Sequence, residues 1–328
     1  MKLSVVTPTH DKLELLRRTL ASLEGQDLDP GSFEVVVVDD GSTDDTPRFL
    51  EGHRPGFPLR TVRLDTNAGR AAARNRGLER AAGDLVVFLD DDMEVVPGFL
   101  RAHLELHESG GAVAGIGNVV NHPEVTMAPI DRYMSTRGAQ KIRDRGPLPW
   151  KYFSTNNASV KRADLDAVGG FDEGFVWYGF EDLELAWRLV RDRGITLRFV
   201  PDARSLHIHP HTLDEVLDKK TLCGRSSMPY LFRKHPETRV ELGYHRYDPP
   251  SAGDPPGLNL VRWMHGVLLT PWVYALVRPL ATRSLGEVTN RAIDYLVLYH
   301  YLLGLKGSGN YPTGRPRAAS STGRGGAS

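Results

Sequence analysis

Residues 86–99 read "VVFLDDDMEVVPGF". Four apolar residues run directly into three aspartates, and a Pro-Gly pair follows. A continuous apolar run of this kind is the pattern of a strand buried on both faces, as in the middle of a parallel sheet. Two like charges ~4 Å apart repel by about 4 kcal/mol at an effective dielectric near 20. A buried strand that ends in Asp90, Asp91 and Asp92 therefore implies a cationic counterpart at its carboxyl end. In extended chain, side chains alternate, so Asp90 and Asp92 are expected on one side and Asp91 on the other.

The same grammar recurs outward from this stretch. "LSVVTP" and "FEVVVVDD" are β-branched runs, and "LRTVRLD" is a further strand. Between them, "DKLELLRRTLASLEG" sets Leu13, Leu16, Leu20 and Leu23 on one helical face, with Gly25 as a stop. "STDDTPRFLEG", "NAGRAAARNRGLERAAG" and "PGFLRAHLELHES" read as helices, the last with Pro97 at its start. Alternating strands and helices predict an α/β fold, a Rossmann-like and mostly parallel sheet with flanking helices. Ligands of such sheets bind beyond the carboxyl ends of the strands. Three polar clusters fall there: Thr7 and Thr9, Asp39 and Asp40, and Asp90 to Asp92.

Global composition excludes more than it selects. Among 328 residues, Lys plus Arg equals Asp plus Glu, at 41 each, so no basic footprint suggests a nucleic-acid partner. One cysteine, Cys223, rules out an internal disulfide framework and fits a reducing compartment; no role is assigned to it. The chain enters a strand almost at once, so no secretory signal is expected. The longest apolar stretch, residues 263–277, is too short for a helix that spans a bilayer and contains Pro271. Residues 111–210 are less regular and richer in aromatics. From residue 211 the pattern is helical, and the small, polar, basic end is expected to be disordered. The expected organisation is an α/β region over 1–210, split near 110 into a regular and a less regular half, a helical region over 211–311, and a tail over 312–328.

"VVTPTH", "VVDDGSTDDT", "NAGRAAARNRGL", "FLDDDM", "VGGFDEGFVWYGFEDLELAWRL" and "SLHIH" occur in this order. Together they resemble family 2 glycosyltransferases of the GT-A fold, over about residues 1–210. The "GGFDE" and "GFED" segments also resemble galactosyltransferase catalytic regions. The resemblance implies an inverting enzyme that moves a sugar from a nucleotide diphosphate donor, with Mn²⁺ or Mg²⁺. It implies that Thr7, Pro8 and Thr9 lie along the nucleoside and that Asp39 accepts from N3–H of uracil, so a UDP-sugar is favoured. Gly41 to Thr43 are expected to make the turn and leave Asp39 free. Arg70, at the start of its helix, suits the diphosphate, while Arg74, Arg76 and Arg80 read as solvated or structurally paired. Asp92 is implied as a metal ligand and Asp90 as a ribose or metal contact; Asp91 is left to cap backbone or face solvent at the edge of the donor site. His207 is implied as a third metal ligand, with His209 as the alternative, and an imidazole suits Mn²⁺. Asp182 is implied as the general base and Glu181 as its supporting contact. Asn157 aligns near the donor sugar, and Trp177 could stack on a sugar face.

Each motif also has a bland reading: an acidic turn, an N-cap at Ser42 or Thr43, acids favoured by a helix dipole, a polar histidine at a loop edge. Two other functions compete, a sugar nucleotidyltransferase and a non-catalytic nucleotide-sugar-binding module. "TPTHDK" lacks the glycines of the first, and the acid and histidine set argues against the second. The acceptor is expected to be a glycan or a lipid-linked glycan. The aromatic helices over 258–306 read as an appendage, or as a peripheral membrane contact of a cytoplasmic protein.

Overall fold

The computed structural model describes residues 2–135, 146–249 and 253–308; the tail expected to be disordered lies outside them. The first half follows the expected alternation: β1 (Leu3–Thr9), α1 (Leu13–Glu24), β2 (Phe33–Asp39), α2 (Thr46–Gly52), β3 (Leu59–Arg63), α3 (Arg70–Arg80) and β4 (Leu85–Leu89). There follow β5 (Met93–Val95), α4 (Phe99–Glu108), β6 (Val113–Asn121), α5 (Pro129–Ser135), β7 (Asn157–Lys161), α6 (Arg162–Ala167), α7 (Glu181–Arg193) and β8 (Thr196–His207). The last third is helical: α8 (Leu213–Arg225), α9 (Ser227–Lys234), α10 (Glu237–Glu241), α11 (Pro256–Leu268), α12 (Pro271–Ala281) and α13 (Glu287–Lys306).

All eight strands join one sheet in the order β3-β2-β1-β4-β7-β6-β8-β5. From β3 to β4 every pairing is parallel. Beyond β4 the sheet is mixed, because β7 runs antiparallel to both β4 and β6, and β5 antiparallel to β8. Strand alternation divides the core in two. On β2, Val36 and Val38 pack on one face with α3 and α7 residues such as Ala73 and Leu185. Val35 and Val37 pack on the other with Leu16, Leu20 and Leu23 of α1. Each valine that leaves water contributes roughly 1.5–3 kcal/mol, and the one charged residue within the strand, Glu34, is buried with Ser4, Ala82 and Arg60 as partners.

Two sequence expectations need correction. Pro97 precedes its helix rather than starting it; α4 begins at Phe99, after Gly98 with φ 83°. More consequentially, Asp90 to Asp92 are not extended. β4 stops at Leu89, and after Asp90 the chain turns at Asp91 and Asp92 before β5. The alternation argument that turned Asp91 away therefore does not apply to them.

The helical third is fastened to the rest. Gly224 of α8 and Gly304 of α13 face each other so closely that a Cβ on Gly304 would lie 2.2 Å from the Thr221 carbonyl oxygen. Tyr133 of α5 donates to Asp294 of α13 at 2.7 Å.

Candidate active site

The carboxyl ends of β1, β2 and β4 meet the start of α7 and the end of β8. At the end of β2, Asp39 is buried at 1% exposure. Its Oδ1 accepts from the Ser42 N–H at 2.8 Å, whereas its Oδ2 has no hydrogen-bond partner and lies 3.8 Å from Arg63 Nε. Asp39 is thus half engaged by the turn, not wholly free, and one oxygen is open to a donor N–H. Ser42 and Thr43 do not cap α2, which starts after Asp45. Gly41 turns the chain at φ 71°, where a Cβ would collide with the Thr66 backbone. Thr7 and Thr9, beside it on β1, bury hydroxyls that also lack partners; Pro8 stands between them, partly exposed.

Asp40 accepts from the N–H groups of Ala68 and Gly69 at 2.6 and 3.0 Å, which anchors the start of α3. Arg70 follows. Its guanidinium lies 4.5 Å over the Tyr178 ring, and Lys219 Nζ of α8 lies 5.6 Å from the same ring. Burial opposes the charge of Arg70, but Asp90, Tyr178, Glu181 and Asp92 outweigh it and raise its pKa. Lys219 is shifted the other way, first by burial and then by Arg70. Two cations near one ring, neither in an ion pair among the described residues, make an anion-seeking site.

Arg74 is neither solvated nor peripheral. It is 2% exposed, and it donates to Asp90 Oδ1 and Glu181 Oε1, each at 3.0 Å. One guanidinium therefore joins the end of β4 to the start of α7. Next along, Asp182 is only partly exposed, and its carboxyl is pushed up to about 7 by burial and then by Glu181, against Arg74 and Arg70. The second oxygen of Glu181 is buried without a partner. The chain reaches α7 through Gly179 and Phe180, both at positive φ; for Phe180 that left-handed conformation (φ 72°) costs of order 1 kcal/mol. Val176 backs onto Gly69 across this turn, and Trp177 beside it is half-buried.

The counterpart implied for the aspartates is Lys12. Its ammonium sits 3.0 Å from Asp91 Oδ1 and 2.9 Å from Asp92 Oδ2. Asp91 is buried at 5% exposure, contrary to the expectation that it faces solvent, and burial lifts its carboxyl to about 6 despite Lys12. For Asp92 the balance is opposite. Burial raises its pKa, yet Lys12 and His207 together hold it below the ordinary carboxylate range. The antiparallel register Met93↔His207 brings the two residues together, with His207 Nε2 3.8 Å from Asp92 Oδ2. His211 stacks on His207 at 4.8 Å, whereas His209 is exposed, with its ring 6.5 Å away.

A divalent cation fits part of this set. Asp92 Oδ1 is buried and has no hydrogen-bond partner, and His207 Nε2 lies 3.8 Å from the other oxygen of the same carboxylate. Asp90 is turned to Arg74 instead. Among the described residues no three His, Cys, Asp or Glu side chains converge as a complete metal cage. Hard cations that bridge phosphates keep several ligands from substrate and water, so two protein ligands suffice.

Asn157 does not belong here. It is fully buried on β7; His103 and Asn157 Oδ1 are 2.9 Å apart, and its amide donates to Ala203 O and Ser205 Oγ at 2.9 Å. An amide committed to three core partners has none left for a sugar. Conversely, Lys12, Arg74 and Lys219 were not assigned to the site from sequence. Lys12 directly follows "TPTHD" at the first strand's end, and Arg74 lies four residues from Arg70, so both left a local signal. Lys219 left none, because it comes from the helical third. Cys223, given no role, donates to the Tyr178 carbonyl at 3.0 Å and steadies the ring beneath both cations.

Known proteins resemble this chain in both sequence and fold. The model of Glycosyl transferase family 2 matches residues 4–169, and that of the N-terminal domain of galactosyltransferase matches residues 140–212. The chain belongs to glycosyltransferase family 2 and is a glycosyltransferase. It is 30% identical to an uncharacterized glycosyltransferase of Bacillus subtilis, over 76% of this chain and 75% of that protein. It is 31% identical to the validoxylamine A glucosyltransferase of Streptomyces hygroscopicus subsp. limoneus, over 73% of this chain and 58% of that protein's length. A mannosyltransferase from Pyrobaculum calidifontis, solved with GDP-Man and Mn²⁺, shares the fold at a TM-score of 0.59 and 21% identity, over 93% of this chain and 87% of that one. The fold is that of the GT-A glycosyltransferases, with a helical C-terminal region.

Proposed function

We propose that this chain is a metal-dependent, inverting hexosyltransferase that moves a sugar from a UDP-sugar to a hydroxyl of a glycan or lipid-linked glycan, on the cytoplasmic side of a cell. The observation that carries this reading is Asp182, a partly exposed carboxylate poised near neutral pH, on the same sheet edge as the open oxygens of Asp39 and Asp92. The single free cysteine is compatible with a reducing location.

The chemistry follows from these positions. Asp182 takes the proton of the acceptor hydroxyl, whose oxygen attacks the anomeric carbon opposite the leaving group. The bond from that carbon to the diphosphate oxygen breaks, and the electron pair leaves with the diphosphate. A general base works best with a pKa near the operating pH, and contributes about 10²–10⁴-fold. Arg70 and Lys219 receive the growing diphosphate charge. Asp92 and His207 are the residues that would hold Mn²⁺ or Mg²⁺, which when bound supplies Lewis-acid stabilisation to the leaving group. Glu181 and Arg74 keep the start of α7 in register with β4.

The test is a panel of UDP-, GDP- and dTDP-sugars with Mn²⁺, scored by release of nucleoside diphosphate. Preference for uridine donors, and a ten- to hundredfold loss of uridine donor binding in Asp39→Ala, are expected for one lost charge-assisted hydrogen bond. Equal use of guanosine donors by wild type and variant would refute the assignment of Asp39.

A further inference from the structure

Helices that pack on a protein usually turn apolar residues inward and charged ones outward. α11 does the reverse. Arg262 is 9% exposed; its guanidinium pairs with Asp254 and donates to the His245 and Pro249 carbonyls. On the opposite face Leu260, Trp263, Met264 and Val267 are exposed at 59%, 62%, 48% and 49%. Their spacing of three and four residues makes one continuous stripe. α12 continues it with Trp272 and Leu276, exposed at 84% and 76%. The two helices meet at a 69° bend, and Tyr295 of α13 donates to the Leu268 carbonyl at 2.9 Å, which fixes that bend.

We infer that the outer face of α11 and α12 is a docking surface for an anionic bilayer, on which the protein lies peripherally. Residues 256–286 contain no Asp or Glu, but they contain Arg262, Arg278 and Arg283. Arg283 is exposed and makes no ion pair among the described residues. An apolar stripe in a segment free of acids and bordered by an unpaired cation complements a surface of apolar chains beneath negative headgroups. Tryptophan favours that depth, with its ring in the chains and its N–H at the headgroups. No single helix among the described residues is long and apolar enough to cross a membrane. With 13 and 11 residues, α11 and α12 each fall short of the ~20 needed to span; only the two together have the length and composition of a span, and the 69° bend between them, held by Tyr295, argues for the surface instead. α13, within the region suggested by sequence, instead buries Ile293 and Leu296 against α8 and α5 residues.

This inference is independent of the donor and of the base assignment. The test is sedimentation of the full chain with phosphatidylglycerol-containing and pure phosphatidylcholine vesicles, with tryptophan emission recorded. Wild type is expected to bind the anionic vesicles preferentially, with a blue shift, and to be released by salt. The triple variant Trp263→Ser, Trp272→Ser, Leu276→Ser should lose more than tenfold in affinity, since exposed side chains of this size dominate interfacial binding. Arg283→Gln should reduce the preference for anionic lipid. Unchanged donor hydrolysis and melting temperature in these variants verify folding. Failure of wild type to bind, or equal binding by the triple variant, would overturn the inference. So would a lipid-free dimer in light scattering that the triple variant abolishes, because the face would then belong to a second copy.

Discussion

Asp182→Asn should remove activity and add stability, and the two effects should separate with pH. A carboxyl moved from an ordinary value of about 4 to about 7 carries roughly 4 kcal/mol of cost in its charged form. Asp182 is partly exposed, so water screens part of that, leaving about 1–2 kcal/mol. The sign runs against the usual aspartate. The folded state holds its proton more tightly than the unfolded state, so stability is lost as pH rises from about 4 to about 7 and stays lost above. Asparagine carries no charge at any pH. The variant should therefore melt at nearly the wild-type temperature at pH 4, and about 2–4 °C higher at pH 8. Over the same pH range wild-type turnover should rise through pH 7 to a plateau, while the variant stays about 10²–10⁴-fold lower. Calorimetric melting at both pH values and nucleoside diphosphate release across pH 5–9 measure the two arms. A variant with wild-type turnover refutes the base. A variant that is inactive but gains no more over wild type at pH 8 than at pH 4 refutes the electrostatic account, because Asp182 would then not be a destabilised charge.

Three further perturbations probe different parts of the molecule. Asp92→Ala removes the carboxylate with the open oxygen and should abolish Mn²⁺-dependent donor binding in calorimetric titration, with metal-independent nucleotide binding retained. Lys219→Ala removes one of the two cations over Tyr178 and should weaken the donor about tenfold, read as a higher KM for donor with acceptor KM unchanged. Gly304→Ala places a methyl 2.2 Å from the Thr221 carbonyl oxygen and should cost about 1–3 kcal/mol, whereas Gly266→Ala, in open space on α11, should stabilise by up to ~1 kcal/mol. Thermal melts of the two alanine variants decide it, and equal melting temperatures would refute the close helix contact.

What the sequence disclosed was local. The continuous apolar run of β2 and the period of roughly four in α1 come from the side chains themselves, and they made the parallel half of the sheet legible. The positions of Asp39, Asp182 and Asp92 followed because each sits beside a strand or helix end. The misplacements have a common cause. Asn157 aligned near the donor sugar, but whether an amide faces a sugar or a core depends on β7 pairing with β4 and β6, which lie far away along the chain. The approach of His207 to Asp92 was not a misplacement, since the resemblance implied it, but it too is fixed by β5 and β8, distant in sequence. Lys219 depends on how α8 docks, and α8 docks through two glycines that carry no signal until they are seen face to face.

Asp91 and Lys12 show why three adjacent acids can end a buried strand. Had the turn stayed extended, Asp91 would have pointed to water and needed no partner. Folded as it is, the turn buries Asp91 at 5% exposure and Asp92 at 8%, so a counter-charge is required whether or not a metal is bound. Lys12 meets that requirement at both carboxylates, and its own pKa is raised because Asp91 and Asp92 outweigh the burial of its ammonium. Lys12 thereby uses Asp92 Oδ2 and leaves Oδ1 open. The acidic turn is therefore neutralised by the chain itself, with Asp92 keeping one oxygen without a hydrogen-bond partner among the described residues.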